Sequence, residues 1–182
     1  MDRFDSQLDA AEAHFRLGSR LEADGEASSA LTHYLHAAEL ADGPLVVSAT
    51  YHAGLLALRC GNLAQATLLL QATRAAAPAH PATRELAWHA AYWLGMGCEL
   101  DDRILEAVQL YDEVARSGEP PLKAEARYRR LQALAAIGAF DDALQVADEL
   151  IESDRGGDER IALLVRLAAE EKRQLLRALE DA

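Results

Sequence analysis

Residues 14–38 read HFRLGSRLEADGEASSALTHYLHAA, and the architecture follows from their spacing. Gly18 stands in an apolar run, Gly25 marks a turn seven residues later, and Ala30 comes five residues after that. Tyr34 and Ala37 continue the second run at intervals of four and three. Apolar residues recurring at three and four on both sides of a Gly turn predict two helices folded back on one another. The spacing returns three times, as Gly54–Gly61–Ala66, Gly95–Asp102–Ala107 and Leu131–Gly138–Ala143, followed by Leu70, Tyr111 and Ala147. A stop closes each unit, at Pro44, Pro78, Pro120 and Arg155. The small residue lets two helix backbones approach closely, and the larger one fills the gap to the next hairpin. No single hairpin of this kind buries its own apolar face, so the four must stack. A last helix is expected from about Glu159 to Leu179, with Asp158 placed to cap it.

Composition agrees. The 182 residues include 38 Ala and 30 Leu but only five Pro, a mixture that favours helix nearly everywhere. The length suits one domain spanning 1–182. A formal charge of −12 gives no gain from counterion release at a phosphate backbone, so nucleic acid is an unfavourable partner. No stretch approaches the roughly 18 consecutive apolar residues of a membrane span, and the first residues lack an apolar signal core. Cys60 and Cys98 form no disulfide framework, and a reducing, cytoplasmic setting is expected. Sixteen Arg against two Lys suggests a GC-rich, bacterial genome.

In this spacing the chain resembles tetratricopeptide-repeat (TPR) proteins over about residues 8–155. Leu17-Gly18, Gly25, Ala30, Tyr34 and Ala37 carry the likeness most fully, and Gly54, Gly61, Ala66 and Pro78 follow. Successive alanines stand 36, 41 and 36 residues apart, against roughly 34 in a strict repeat. The third unit lacks the turn glycine, and the fourth has Leu131 where a small residue is usual. The added residues fall around Pro78 to Trp88, where they lengthen helices or loops. The resemblance implies an all-α, TPR-like helical-hairpin solenoid wound into a right-handed superhelix. Its four helix pairs span about 8–44, 45–80, 81–121 and 122–157, with a capping helix over about 158–180. Ile161, Leu164, Leu167 and Ala168 are expected to cover the last hairpin, and Leu175, Leu176 and Leu179 to project beyond it as a self-association surface.

The resemblance also implies that the first helix of each pair lines a concave groove. Phe15, Tyr51, Tyr92 and Tyr128 then fall at one equivalent place, beside His52, Arg59, His89, Trp93, Met96 and Arg129. Either these aromatics wedge adjacent hairpins together or they are anchors for a partner. Trp88, Tyr92, Trp93, Leu94, Met96 and Cys98 exceed what one buried stripe holds, so some are expected to face the groove. The expected function is non-catalytic: a peptide or helix of a partner protein held in an aromatic, mixed-charge groove. The alternative is a self-associating assembly module using the C-terminal helix or the groove. Arg59 and Arg129 are opposed by Glu12, Glu22, Glu99 and Glu125, which argues against a chaperone-type clamp for C-terminal carboxylates.

Motifs for chemistry are missing. There is no phosphate-binding loop, nucleophile elbow or Cys-x-x-Cys pair, and neither cofactor nor metal is expected. His33, His36 and Glu39 share one helix flank without a further ligand, and with His14 and His80 they read as solvated surface. Cys60 and Cys98 read as structural, buried thiols. Asp112-Glu113, Asp141-Asp142 and Asp148-Glu149 read as a solvated outer face. The basic run Lys123, Arg127, Arg129 and Arg130 reads as paired with neighbouring carboxylates, or else as a contact for an acidic partner.

Overall fold

A computed structural model describes residues 3–153 and 158–180. Among these residues there are nine α-helices and no strand. They are α1 (Arg3–Ala23), α2 (Ala27–Leu40), α3 (Gly43–Arg59), α4 (Leu63–Ala76), α5 (Leu86–Leu100), α6 (Ile104–Ser117), α7 (Pro120–Ala136), α8 (Phe140–Glu152) and α9 (Glu159–Glu180). The architecture is all-α, with helices following one another as hairpins. The expected stop at Arg155, with Gly156 and Gly157, lies outside the described residues. The chain gathers into two compact units, Met1–Gly97 and Cys98–Ala182, with the boundary inside α5.

The hairpin turns are built alike. Gly25, Gly61 and Gly138 have φ of +84°, +78° and +76°, and Asp102 takes the same place with φ +57°. In each turn the residue after the left-handed position donates its N–H five residues back, as Glu26 to Leu21 O (2.8 Å) and Arg103 to Cys98 O (2.8 Å). These bonds satisfy carbonyls that a helix C-terminus otherwise leaves bare. The backbone geometry therefore demands the turn even where the sequence lacks glycine.

In the first unit α1 packs on α2, α2 on α3 and α3 on α4. Its close approaches fall at the expected small residues. A Cβ on Gly18 would stand 3.1 Å from Tyr34 Cδ1, and one on Gly54 would stand 2.9 Å from Leu70 Cγ. Ala30, Tyr34, Ala53 and Leu56 form one buried cluster, with Phe15 and Leu21 packed against it. The extra residues before α5 coil into two 3-10 turns, Ala77–Ala79 and Pro81–Thr83. Buried Thr83 fastens them by donating from Oγ1 to the Ala77 carbonyl at 3.3 Å.

In the second unit α7 packs on α6 and α8, and α9 packs on both α7 and α8. Leu131, Ala143, Val146, Ala147, Leu150, Ala168 and Leu175 share one buried cluster. Here the large and small members of the repeat are exchanged: Leu131 replaces the glycine and Ala147 replaces the Tyr or Leu, and both are fully buried. Asp158 caps α9 as expected, its Oδ1 accepting from Arg160 N at 2.8 Å. Leu175 departs from expectation, because it is buried in this cluster rather than projecting beyond it. Leu167, expected in the cap contact, is 40% exposed.

Candidate protein-interaction face

On α1, α3 and α5 of the first unit, the aromatic ladder splits. Tyr51 and Tyr92 are buried, at 9% and 8% exposure, whereas Phe15, His52, His89, Trp93 and Met96 are partly exposed. Burial raises the Tyr51 hydroxyl pKa above its ordinary value. Trp93 packs against the cluster of Ala57, Leu58 and Ala66, so only part of its ring is available. Tyr51 and Tyr92 are therefore largely withdrawn from solvent. Tyr128, on α7 of the second unit, is partly buried, and its hydroxyl accepts from Gln132 Nε2 at 3.3 Å.

The charged residues expected in the groove are largely engaged with one another. Glu22 on α1 accepts from the Tyr34 hydroxyl at 2.9 Å, and Arg59 Nη1 lies 3.4 Å from its other oxygen. Burial first, and Glu22 second, pushes the Tyr34 hydroxyl above its usual range. His52 stacks on Tyr34 with ring centroids 4.9 Å apart, and Phe15 meets both rings edge-on. His52 Nδ1 lies 3.5 Å from Glu22 Oε2, within ion-pair reach but without hydrogen-bond geometry, and the atom is buried. Its pKa is lowered, because burial outweighs the opposing pull of Glu22.

The second unit repeats this clasp. Glu99 accepts from the Tyr111 hydroxyl at 2.9 Å and lies 3.9 Å from Arg129 Nη1. Glu22 and Glu99 stand four residues after Gly18 and Gly95, while Tyr34 and Tyr111 stand sixteen after them. The equivalent pairs in the other units are Leu58 with Leu70 and Ala135 with Ala147. The acid thus occurs only where the hydroxyl does, a signal that aligning the repeats exposes and that the sequence reading missed. Glu125, also expected in the groove, is held by Arg160.

An open pocket of about 550 Å³ lies in the first unit, lined by Leu8, Glu12, Phe15, Arg16, Asp42, Pro44 and Leu45. Its apolar members are Leu8, Phe15, Pro44 and Leu45, and Glu12 and Arg16 pair with each other at 2.6 Å.

The histidines gather more closely than their spacing on one helix suggested. His14 of α1 meets His33 of α2, Nδ1 to Nδ1 at 2.9 Å, and its ring lies 5.3 Å from that of His36. Among the described residues, no group of three or more His, Cys, Asp or Glu has the geometry to hold a metal ion. Cys98 is buried, and burial raises its thiol pKa; Cys60 is exposed at the end of α3, contrary to its reading as a buried thiol. Asp112 is likewise no solvated acid, since it pairs with Arg130 at 2.8 Å and also holds Arg116.

The architecture has close counterparts among solved structures. The nearly identical TPR-like repeats of a Podosopora anserina kinesin-light-chain-type protein match with a TM-score of 0.68 at 15% identity, over 93% of this chain and 90% of that one. MamA of AMB-1 matches with a TM-score of 0.61 at 20% identity, over 93% and 88% of the two chains. MamA of MSR-1 gives 0.59 at 20%, over 92% and 91%. No protein-family model and no curated protein sequence matches the chain significantly. The fold is TPR-like: an all-α repeat of helical hairpins. No described helix is long and apolar enough to cross a membrane.

Proposed function

We propose that the protein is a non-catalytic interaction module that binds a peptide or helix of a partner protein on the first-helix face of α1 and α3. The pocket around Phe15 carries this reading. It combines an apolar lining of Leu8, Phe15, Pro44 and Leu45 with a charged rim, the composition that holds an anchoring side chain of a partner. The pairing of Arg59 with Glu22 removes the free cation a carboxylate clamp would need, so the partner's contribution is an apolar or aromatic anchor. Trp93, Met96 and His89, partly exposed on α5, extend the same kind of surface. Selection from a random peptide library against the purified protein tests the proposal. Peptides with an aromatic or aliphatic anchor should enrich, and Leu8→Glu with Leu45→Glu should weaken them about tenfold or more without changing the melting temperature. Failure to enrich any peptide, or undiminished binding by the folded variant, overturns it.

A second reading, self-association through α9, draws support from Leu176 and Leu179, which are 41% and 43% exposed just beyond buried Leu175. Light scattering discriminates: a concentration-dependent dimer abolished by Leu176→Glu with Leu179→Glu supports it, and a monomer at all concentrations rejects it.

A further inference from the structure

The face of α7 away from Tyr128 and Gln132 carries Lys123, Arg127 and Arg130 at intervals of four and three, one stripe of a helix. This stripe joins Asp112 and Arg116 of α6 with Gln145 and Glu149 of α8 in lining a cleft of about 360 Å³. Four cations thus meet two carboxylates, within a chain whose overall charge is −12.

The carboxylates do not satisfy the cations. Asp112 already serves both Arg116 and Arg130, and Glu149 accepts from Gln145 Nε2 at 3.1 Å. Arg130 Nε is buried with no hydrogen-bond partner. The side chains of Lys123 and Arg127 make neither a hydrogen bond nor an ion pair among the described residues, although Lys123 N donates to Glu119 O at 2.8 Å. A buried donor left without an acceptor is unfavourable, so an acceptor brought from outside gains that hydrogen bond in addition to its charge.

We propose that this cleft binds a phosphoryl group. Three donor groups lack acceptors (the Lys123 ammonium, the Arg127 guanidinium and Arg130 Nε), and a phosphomonoester presents three terminal oxygens and a charge of about −1.5 to −2. A single carboxylate offers one charge and two oxygens, too few for this set. Arginine forks match phosphate oxygens in pairs, and a lysine adds a compact point charge. The site lies on the opposite side of α7 from Tyr128, and none of its residues belongs to the face proposed for peptide binding, so it stands whether or not a peptide binds there.

Two sources supply this chemistry, a phosphorylated side chain and free phosphate, and calorimetry on the full chain separates them. The probes are the pentapeptide Ala-Ala-phosphoSer-Ala-Ala with blocked termini, its Asp counterpart, and inorganic phosphate, while NMR follows the side-chain Nε–H signals of arginine. The phosphopeptide should bind about tenfold or more tighter than the Asp peptide and shift the Arg130 signal. Phosphate binding as tightly as the phosphopeptide assigns the site to free phosphate; tighter phosphopeptide binding assigns it to a modified side chain. Lys123→Gln with Arg127→Gln should lose about tenfold in affinity at an unchanged melting temperature, since neither residue holds another in place. Lys123→Ala with Arg127→Ala serves as a second version should the first fail to fold. No binding of either phosphoryl probe at millimolar concentration, equal binding of the Asp peptide, or full affinity in the folded double variant overturns the proposal.

Discussion

Asp102 occupies the left-handed turn position that glycine fills in the other three hairpins, and its φ of +57° places a Cβ where L-residues are strained. The strain is of the order of 1–2 kcal/mol for most residues and smaller for Asp, which tolerates this region better. Asp102→Gly should therefore raise stability in urea unfolding by up to about 1 kcal/mol, and Asp102→Ala should lower it. A stability loss on introducing glycine would show that the aspartate side chain contributes more than its backbone costs. The exchanged pair Leu131 and Ala147 gives a second residue-scale prediction. Both are fully buried in one cluster, so volume removed at one position is available to the other. Leu131→Ala alone should cost about 2–5 kcal/mol through a cavity, and Ala147→Leu alone about 1–3 kcal/mol through overpacking. Combined, they should cost clearly less than the sum of the two, a coupling that a double-mutant cycle in denaturant reads directly. Strict additivity would mean that the two sites do not share space.

At the level of the element, α5 shows where sequence reading reached its limit. The helix, its bulk and the split of its aromatics between core and surface were all legible in the spacing. Which ring faces which way was not. Ala87, Ala90, Ala91, Tyr92, Leu94 and Cys98 are all buried, so α5 is covered over most of its circumference. A helix enclosed in this way has no single apolar stripe, and its period does not identify the exposed residues. Equivalence across repeats placed Tyr51, Tyr92 and Tyr128 together, yet Tyr128 alone of the three keeps intermediate exposure. Helix ends were easier, since the turn glycines and Asp158 carry local signals that packing does not override. The extra residues before α5 were visible as an insertion, but their 3-10 geometry depends on the Thr83 hydroxyl reaching Ala77. For Tyr92 the burial has a consequence opposite to that of a groove anchor. Tyr92→Ala should lower stability by about 3 kcal/mol or more in chemical unfolding, while Met96→Ala, at a partly exposed site on the same helix, should stay within about 1 kcal/mol. Equal effects would mean that Tyr92 contributes no more packing than its exposed neighbour.

For the molecule as a whole, folding is coupled to pH through the clasp around Glu22. His52, still partly exposed, packs against Tyr34, Phe15 and Tyr51, with Glu22 as the facing acid and Arg59 on that acid's other oxygen. Its pKa in the folded chain lies below the unfolded value, because burial disfavours the imidazolium more than Glu22 supports it. As pH falls through about 6.5, the unfolded chain takes up a proton at this position before the folded chain does. The unfolded state then binds more protons, so stability declines with falling pH until the folded-state pKa is passed, below which the loss is constant. The equivalent position in the second unit is Arg129, which stays charged throughout and adds no such dependence. The wild-type curve sums every pH-dependent contribution to folding, so it does not by itself isolate His52. Comparison with His52→Gln does, because glutamine keeps a polar side chain of similar reach without the titrating ring. Thermal melts from pH 7.5 to 5.5 should fall more steeply for wild type than for the Gln variant, with the two curves diverging below about pH 6.5. Parallel curves would mean that His52 takes up its proton equally in both states, and a variant curve steeper than wild type would show that Glu22, rather than burial, controls the ring.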